Sequence, residues 1–339
     1  MVVVPTTTQP NLTFEQELES HRRGLTGYCY RMLGSASEAE DAVQEAMVRA
    51  WRASNQLTAP GALKSWLYRI ASNVCIDQIQ SPQRRAMPMD LSPAGKAAGE
   101  LGAPLPETAW VHPIASGRVL GGGGDPADVA GSRETLRLAF VAALQHLPAK
   151  QRAVLVLCEV LRWKASEAAT LLDISVASVN SALQRARATL STLDLDAEGV
   201  SAGAAPDEEQ AALLEQYVDA FEAYDITRLV SLLRDDATFT MPPLPLWLRG
   251  AQEAGQFMLG TGAKCEGSRA LPTTANGGPA AAIYNPVGDG TYAPWAVVVL
   301  ETEDGKIAAL HHYIGGPEWF AEFGLPAQLA DDAKPVTAA

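Results

Sequence analysis

Residues 164–190, KASEAATLLDISVASVNSALQRARATL, predict two helices separated by a three-residue break at residues 173–175. Ser175 is placed to cap the second helix, because a serine hydroxyl can accept a hydrogen bond from a free backbone N–H of the first turn. A seam of apolar side chains recurs every three or four residues in this helix: Val176, Val179, Leu183, Ala186 and Leu190. A helix, a tight turn and an amphipathic second helix form the helix-turn-helix pattern of DNA-binding proteins.

The outward face of the second helix presents small and amide side chains first and arginines later. That order favours reading of base edges by Ser178, Asn180 or Ser181 and binding of phosphate by Arg185 and Arg187. The candidate DNA-contacting residues are Ser178, Asn180, Ser181, Gln184, Arg185 and Arg187. Taken alone, the segment is also compatible with an ordinary helical hairpin whose polar face is solvated.

The charge of the chain is distributed unevenly. The 339 residues carry a net charge of −13, but residues 1–85 carry +1, residues 133–195 carry +3 and residues 206–339 carry −12. A strongly acidic surface repels a phosphate backbone over roughly a Debye length of about 10 Å. Any nucleic acid is therefore expected to meet the amino-terminal half.

The cysteines and the apolar runs exclude several classes of protein. Cys29, Cys75, Cys158 and Cys265 lie far apart without a Cys-x-x-Cys, so neither a zinc site nor a disulfide framework is expected. The amino terminus MVVVPTTTQPN has no basic lead for a signal peptide, and the apolar run APWAVVVL is too short to span a bilayer. We expect a cytoplasmic protein that has no membrane partner.

Composition and periodicity divide the chain into helical, linker, helical, linker and α+β parts. Residues 86–132 are rich in Ala, Gly and Pro and contain GGGGDP, which is typical of a flexible linker. The expected parts are a disordered amino terminus (1–11), a helical domain (12–85), a linker (86–132), a second helical domain (133–195), a linker (196–209), an α+β domain (210–325) and a tail (326–339).

Two further helices are predicted in the first helical domain. The helix in GSASEAEDAVQEAMVRAWR, residues 34–52, begins with Ser37 and Glu40 in a capping-box relation. In the next helix Trp66, Arg69 and Asn73 share a stripe, and an aromatic, a cation and an amide together can hold unstacked single-stranded bases. The same stripe is also expected if the aromatic side chain packs against the domain and the polar side chains face solvent, without a binding role.

The motifs DAVQEAMVRAWR, SWLYRIASNVCID and LPAKQRAVLVL, followed by a helix-turn-helix, together resemble bacterial sigma factors of the extracytoplasmic-function group. Residues 12–85 resemble their region 2, a helical bundle, and residues 133–195 their region 4. The resemblance implies that Asp41, Gln44 and Glu45 dock on the clamp helices of the polymerase beta-prime subunit, and that the beta flap is a second contact.

The same resemblance assigns DNA contacts. The loop at residues 56–63, with Trp66, Arg69 and Asn73, would capture the melted minus-ten strand, whose unstacking costs a few kcal/mol per base. The helix from Val176 would read the minus-thirty-five element. Many family members have Arg-Ser-Arg-Leu where this chain has residues 180–183, NSAL, so weak DNA binding is expected from this domain alone.

Residues 210–325 resemble a SnoaL-like domain of the nuclear-transport-factor type, an α+β cone with a pocket. Met241 stands where related isomerases place a catalytic Asp, and a donor without a base cannot abstract a proton, so no catalytic residue is expected. Tyr217 could match their oxyanion-stabilising tyrosine, or it could be a packed core residue. His311 and His312 are neighbours on a strand, so only one can face the interior. The candidate pocket residues are Tyr217, Met241, His311 and His312, with no metal or cofactor expected.

Sigma factors of this group that carry a SnoaL-like extension are thought to be regulated by it. An acidic domain on a linker can cover a basic DNA-binding face, and MPPLPLWLRG, NPVGDG and PEWFAEFGLP are candidate docking surfaces. Alternatively, these loops only close the cone, whose pocket could hold a small ligand. An enzyme tethered to DNA by the helical half and a one-component ligand-sensing regulator are the competing functions.

Overall fold

The computed structural model describes residues 13–57, 62–79, 85–121, 131–193 and 207–330. The predicted disordered amino terminus, the GGGGDP segment beyond Gly121, most of the second linker and the end of the tail lie outside the described residues. Within the described part of the chain, no helix is long and apolar enough to cross a membrane. The same residues contain no group of three or more His, Cys, Asp or Glu side chains able to hold a metal ion.

Three helices pack into the first helical domain: α1 (Phe14–Leu33), α2 (Ala36–Arg52) and α3 (Leu63–Gln78), with a 3₁₀ turn at Ser54–Gln56. Helix α1 ends at Gly34, whose φ of 71° suits glycine. The Ser35 hydroxyl then caps α2 by accepting from the Glu38 N–H at 3.4 Å. The expected cap at Ser37 is wrong because the chain turns at Gly34 and α2 begins at Ala36.

The second helical domain contains α6 (Leu138–Leu144), α7 (Ala149–Leu155), a π-helical turn (Val156–Val160), α8 (Ala165–Leu172) and α9 (Val176–Thr192). Asp173, with a φ of 53°, ends α8, and Ser175 caps α9 as predicted by accepting from the Ser178 N–H at 3.1 Å. Val176 is 44% exposed, against expectation, because it is the first residue of α9 and the buried seam begins one turn later at Val179.

The segment between the two helical domains corrects the expectation of a flexible linker. It contains α4 (Pro88–Leu91), a 3₁₀ turn (Glu107–Ala109) and α5 (Ser116–Val119). Trp110, Val111 and Ile114 are fully buried, although the segment is rich in Ala, Gly and Pro. These three buried side chains therefore fix residues 85–121 against the rest of the protein, although residues 111–114 form neither helix nor strand.

The carboxy-terminal domain is a curved sheet in the order β2-β1-β6-β5-β4-β3, antiparallel except for β1 and β6, with β7 paired to β5. Its strands are β1 (Leu233–Thr240), β2 (Trp247–Arg249), β3 (Arg269–Ala275), β4 (Gly278–Gly288), β5 (Thr291–Glu303), β6 (Lys306–Ile314) and β7 (Leu329–Ala330). Its helices are α10 (Asp207–Glu222), α11 (Ile226–Leu232), α12 (Ala251–Leu259) and α13 (Pro317–Glu322), with a 3₁₀ turn at Thr261–Cys265.

The two faces of this sheet belong to two different hydrophobic cores. On the inner face, Ala281, Ile283 and Val298 pack with α10, α11 and α12 inside the cone. On the outer face, Tyr284 and Val297 join the core formed by the two helical domains. Because successive strand residues point to opposite faces, β4 and β5 supply apolar side chains to both cores. The cone is thus part of the packing that holds the helical domains together.

Candidate nucleic-acid interface

The outward face of α9 presents all six predicted DNA-contacting residues to solvent: Ser178, Asn180, Ser181, Gln184, Arg185 and Arg187. The buried Val179, Ala182 and Ala186 hold the opposite face against the domain. Arg187 forms an ion pair with Glu159 of the π-helical turn. The acidic cone leaves this face uncovered, so the expectation that it masks the basic helix directly is not met.

The exposed face of α2 carries Asp41, Gln44 and Glu45, which are three and four residues apart and therefore lie side by side. The Glu45 carboxylate accepts from the Arg49 guanidinium at 2.7 Å. The buried face of the helix, with Val43 and Met47, packs into the bundle. Packing inside the bundle thus fixes which α2 side chains point outward.

The α3 stripe faces the second helical domain. Trp66 is half-buried while Arg69 and Asn73 are exposed, and residues 58–61 of the loop before α3 lie outside the described residues. Trp66 and Arg69 line a groove of about 820 Å³, whose opposite wall comes from residues 161–171. At its side the Trp163 ring lies 5.3 Å from the Tyr68 ring, and the Lys64 Nζ lies 5.8 Å from the centre of the indole.

Arg152 of α7 joins the two helical domains and is only 4% exposed. Its guanidinium donates to the Met32 carbonyl of α1, to the Gln145 Oε1 at 2.6 Å and to the Leu147 carbonyl at 3.1 Å. A buried cation needs such partners, since desolvation is costly. Arg152 was not among the residues predicted from the sequence, although an arginine inside the stretch LPAKQRAVLVL indicates a buried contact.

Arg31 of α1 makes a second connection between the two helical domains. It donates to the Gly27 carbonyl at 2.8 Å within α1 and to the Thr135 hydroxyl at 2.8 Å, just before α6. Burial lowers the pKa of the Arg31 guanidinium to about 10, which leaves it charged at neutral pH. Its hydrogen bonds to carbonyl and hydroxyl oxygens therefore tie residues 131–135 to α1.

Asn276, in the turn between β3 and β4, connects the cone to both helical domains. Its side-chain amide donates to the Tyr30 hydroxyl and to the Leu136 carbonyl, both at 2.7 Å, and accepts from the Ile114 N–H at 3.0 Å. Its φ of 54° fits the tight Asn-Gly turn. The sequence ANGG predicts the hairpin but gives no sign of these partners, which are up to 246 residues away.

Inside the cone a cavity of about 250 Å³ is lined by mostly apolar side chains, including Phe221, Phe239 and Phe257. Of the four predicted pocket residues, Met241 and His312 line it. Tyr217 is buried beside it, stacked on Phe221 at 6.0 Å, and among the described residues its hydroxyl has no hydrogen-bond partner. Burial raises the pKa of that hydroxyl.

The two neighbouring histidines face different environments. His312 lines the cavity, with its Nδ1 3.2 Å from the Thr240 carbonyl, and burial lowers its pKa to about 4. His311 points to the other side, where its Nδ1 lies 2.9 Å from the Thr240 hydroxyl and its Nε2 4.0 Å from Glu301. His311 therefore does not line the cone cavity, because the strand alternation turns it toward the helical domains.

The titratable side chains among the described residues that line the cavity are Tyr224, Lys264, Cys265 and His312. The described residues that line it include no Asp or Glu, and the neutral His312 is held by the Thr240 carbonyl. The predicted docking loops have different surroundings. The Trp247 indole of MPPLPLWLRG donates to the Ser92 carbonyl at 2.7 Å, Phe320 of PEWFAEFGLP is buried in the shared core, and Val287 of NPVGDG is exposed.

A three-helix bundle, a helix-turn-helix domain and an α+β cone are the parts of a sigma factor that carries a SnoaL-like domain. The family model of Sigma-70 region 2 matches residues 18–85, that of Sigma-70 region 4 residues 137–190, and that of the SnoaL-like domain residues 214–310. The chain is 40% identical over 323 residues to the ECF RNA polymerase sigma factor SigG of Mycobacterium tuberculosis, an alignment covering 93% of this chain and 85% of SigG. The chain belongs to the ECF RNA polymerase sigma factors.

Two further comparisons agree. The ECF RNA polymerase sigma factor SigJ of Mycobacterium tuberculosis is 27% identical over 326 residues, covering 93% of this chain and 95% of SigJ. Its crystal structure matches the fold with a TM-score of 0.58 at 23% identity, covering 92% of this chain and 99% of that one. The predicted family, fold class and sigma-factor function are confirmed. ECF sigma factors are transcription initiation factors that bind core RNA polymerase and promoter DNA.

Proposed function

We propose that the packed arrangement of this sigma factor is a closed state that cannot hold a promoter, and that the cone stabilises it. In this proposal, initiation requires the two helical domains to separate. The observation that carries it is the contact of α3 with the segment that contains Trp163. The ring centres of Tyr68 and Trp163 lie 5.3 Å apart there.

The argument rests on the length of a promoter. The centres of a minus-ten and a minus-thirty-five element are about 25 base pairs apart, which is roughly 85 Å of duplex at about 3.4 Å per base pair. In the closed state α3 contacts α8, and α8 contacts α9. Because α3 and α9 both contact α8, they cannot reach both promoter sites at once. Region 4 also forms the opposite wall of the groove that Trp66 and Arg69 line. A melted strand would have to lie in that groove.

The cone stabilises the closed state through buried polar contacts as well as apolar packing. Asn276 bonds to Tyr30 in region 2 and to Leu136 at the start of region 4. Arg137 of region 4 lies 3.4 Å from Glu301 of β5. Separation of the helical domains would break these contacts and expose the outer face of the sheet, so the intact cone favours the closed state.

The remaining roles follow from exposure and charge. In the open state Asp41, Gln44 and Glu45 dock on the beta-prime clamp, while region 4 approaches the beta flap. Trp66, Arg69 and Asn73 hold the melted minus-ten strand, and the outward face of α9 reads the minus-thirty-five element with Asn180 and the serines while the arginines bind phosphate. The cone acts as a non-catalytic regulator, since the described residues that line its cavity, Met241 and His312 among them, include no carboxylate base.

The test is run-off transcription with core polymerase and the full-length Trp163→Ala variant. Removing the indole loosens the contact with Tyr68 and Lys64, so transcript yield at limiting sigma factor should rise several-fold. Lys150→Ala, on the exposed side of α7, is the matched control and should behave as the unaltered chain does. A Trp163→Ala yield equal to or below that of the control, with the variant folded by circular dichroism, contradicts a closed inactive state.

A further inference from the structure

Part of the linker between the two helical domains lies against the cone. The Gly95 N–H donates to the Trp247 carbonyl at 2.8 Å, the Ala97 N–H to the Glu253 carboxylate at 2.8 Å and the Leu105 N–H to the Pro243 carbonyl at 2.9 Å. We call residues 92–105 the strap. Ala97 is buried in the core of the cone, and Leu101 forms part of the wall of its cavity. The cavity is therefore built from two parts of the chain, the cone and the strap.

The chemistry of the cavity defines a class of ligand. An apolar cavity of about 150 Å³ holds one benzene ring, so about 250 Å³ suits a molecule of two rings. The three phenylalanines and Trp295 provide surfaces for aromatic contacts. The Thr240 carbonyl can only accept, so His312 carries its proton on Nδ1 and keeps a lone pair on Nε2. A nitrogen of this kind can accept a hydrogen bond from a hydroxyl group.

We infer that the cone cavity binds a two-ring apolar molecule with one hydroxyl group, and that this ligand strengthens the hold of the cone on the strap. A ligand in the cavity touches Leu101 only while the strap is in place, so it binds the strapped state more tightly than the released one. By linkage, the ligand then shifts the population toward the strapped state. The consequence for transcription, repression by the ligand, rests on the proposed function above.

The first experiment measures binding to the full-length chain by calorimetry, with 2-naphthol as the probe and naphthalene as the matched compound without a hydroxyl. We expect 2-naphthol to bind about tenfold more tightly. His312→Phe should reduce that ratio to near one while retaining the aromatic packing against Phe239, whose ring centre lies 4.4 Å from that of His312. Failure of the unaltered chain to bind 2-naphthol, or an unchanged ratio in His312→Phe, overturns the assigned ligand class.

The second experiment tests the coupling to the strap by limited trypsin digestion of the same full-length chain. The Lys96 side chain is 80% exposed, and saturating 2-naphthol should slow cleavage after it several-fold. Leu101→Ala should weaken binding about tenfold and abolish this protection. Leu91→Ala, which removes an exposed side chain next to the strap, should leave both unchanged. Binding without protection at Lys96 overturns the coupling.

These readouts do not depend on polymerase. If 2-naphthol binds and protects Lys96 while Trp163→Ala fails to raise transcription, the proposed closed state is wrong and the ligand site stands. If Trp163→Ala raises transcription and 2-naphthol does not bind, the ligand site is wrong and the closed state stands.

Discussion

The side-chain amide of Asn276 lies 2.7 Å from the Tyr30 hydroxyl, so a turn of the cone donates a buried hydrogen bond to the first helix of region 2. Tyr30 in turn donates to the His112 carbonyl at 2.7 Å, and Asn276 is only 4% exposed. This short chain of hydrogen bonds joins the cone, region 2 and the segment between the helical domains. The Asn276 and Tyr30 side chains can each be exchanged without altering any of the predicted DNA-contacting residues.

Asn276→Gly is expected to favour the open state. Glycine tolerates the φ of 54°, while loss of the amide leaves the Leu136 carbonyl and the Ile114 N–H without this partner, at about 2–4 kcal/mol in total. Run-off transcription at limiting sigma factor should rise at least threefold. Asp289→Gly removes a side chain at a similar φ of 51° in another turn of the cone and is the control. Equal yields from the two variants contradict the role of Asn276.

Arg152→Ala is expected to lower the stability of the full-length chain. The change leaves buried carbonyl oxygens of Met32 and Leu147 without this donor, which we expect to cost about 2–4 kcal/mol. Urea unfolding followed by circular dichroism measures the loss. Lys150→Ala, two residues earlier on the exposed side of α7, should change the free energy of unfolding by less than about 0.5 kcal/mol. A loss of similar size in both variants would show that the Arg152 contacts add nothing specific.

Glu159→Gln is expected to strengthen promoter binding by the holoenzyme. Arg187 pairs with Glu159, and neutralising the acid releases the guanidinium for a phosphate and removes a negative charge near DNA. An exposed pair contributes little, so we expect a two- to threefold gain, about 0.4–0.7 kcal/mol, at low salt and less at high salt. Filter binding over a salt series measures it. Glu19→Gln breaks a similar pair with Arg22 on α1 and should have no such effect; a gain in both would argue against Arg187.

Arg185→Ala and Asn180→Ala are expected to differ in kind. A phosphate contact has no sequence information, so Arg185→Ala should weaken binding to cognate and altered minus-thirty-five elements alike. Asn180→Ala should change the preference among bases, by about 1–3 kcal/mol at one position. Competition between promoter variants with the holoenzyme separates the two outcomes. The same loss on every sequence from both variants contradicts this division between base and phosphate contacts.

His312 is expected to make the cone less stable in acid. Burial lowers its folded-state pKa to about 4, whereas a histidine in an unfolded chain titrates near 6.5. As the pH falls from about 6.5 toward 4, the unfolded chain binds the proton first, so about 2–3 kcal/mol of stability is lost. Urea unfolding at pH 7 and pH 4.5 should therefore show a smaller acid loss in His312→Phe. The half-exposed His21 provides the control: His21→Gln should retain most of the loss.

Local patterns predicted which side chains of α9 are exposed. The three- and four-residue spacing in α9 identified its outward residues, and the two-residue period of strands separated His311 from His312. Val176 was misassigned because a periodic pattern does not show where the covering neighbour ends. These successes depend on interactions between residues close in sequence.

The contacts that join the domains were not predictable in the same way. Trp110 and Ile114 are buried although residues 111–114 form neither helix nor strand, inside a segment whose composition favours flexibility. Asn276, Tyr30 and Leu136 meet only in the folded chain, and Leu101 reaches a cavity formed by residues more than a hundred positions away. Such contacts depend on how complete domains pack, which a local pattern does not encode.

The outer face of the cone's sheet, where Tyr284 and Val297 lie, is covered by the helical domains only while they stay together. Opening therefore uncovers a broad apolar surface, and uncovered surfaces of this kind drive self-association. In the proposed open state this surface needs another cover, so a molecule that opens beside core polymerase is spared self-association. The solubility of the sigma factor and its activation are then governed by the same surface.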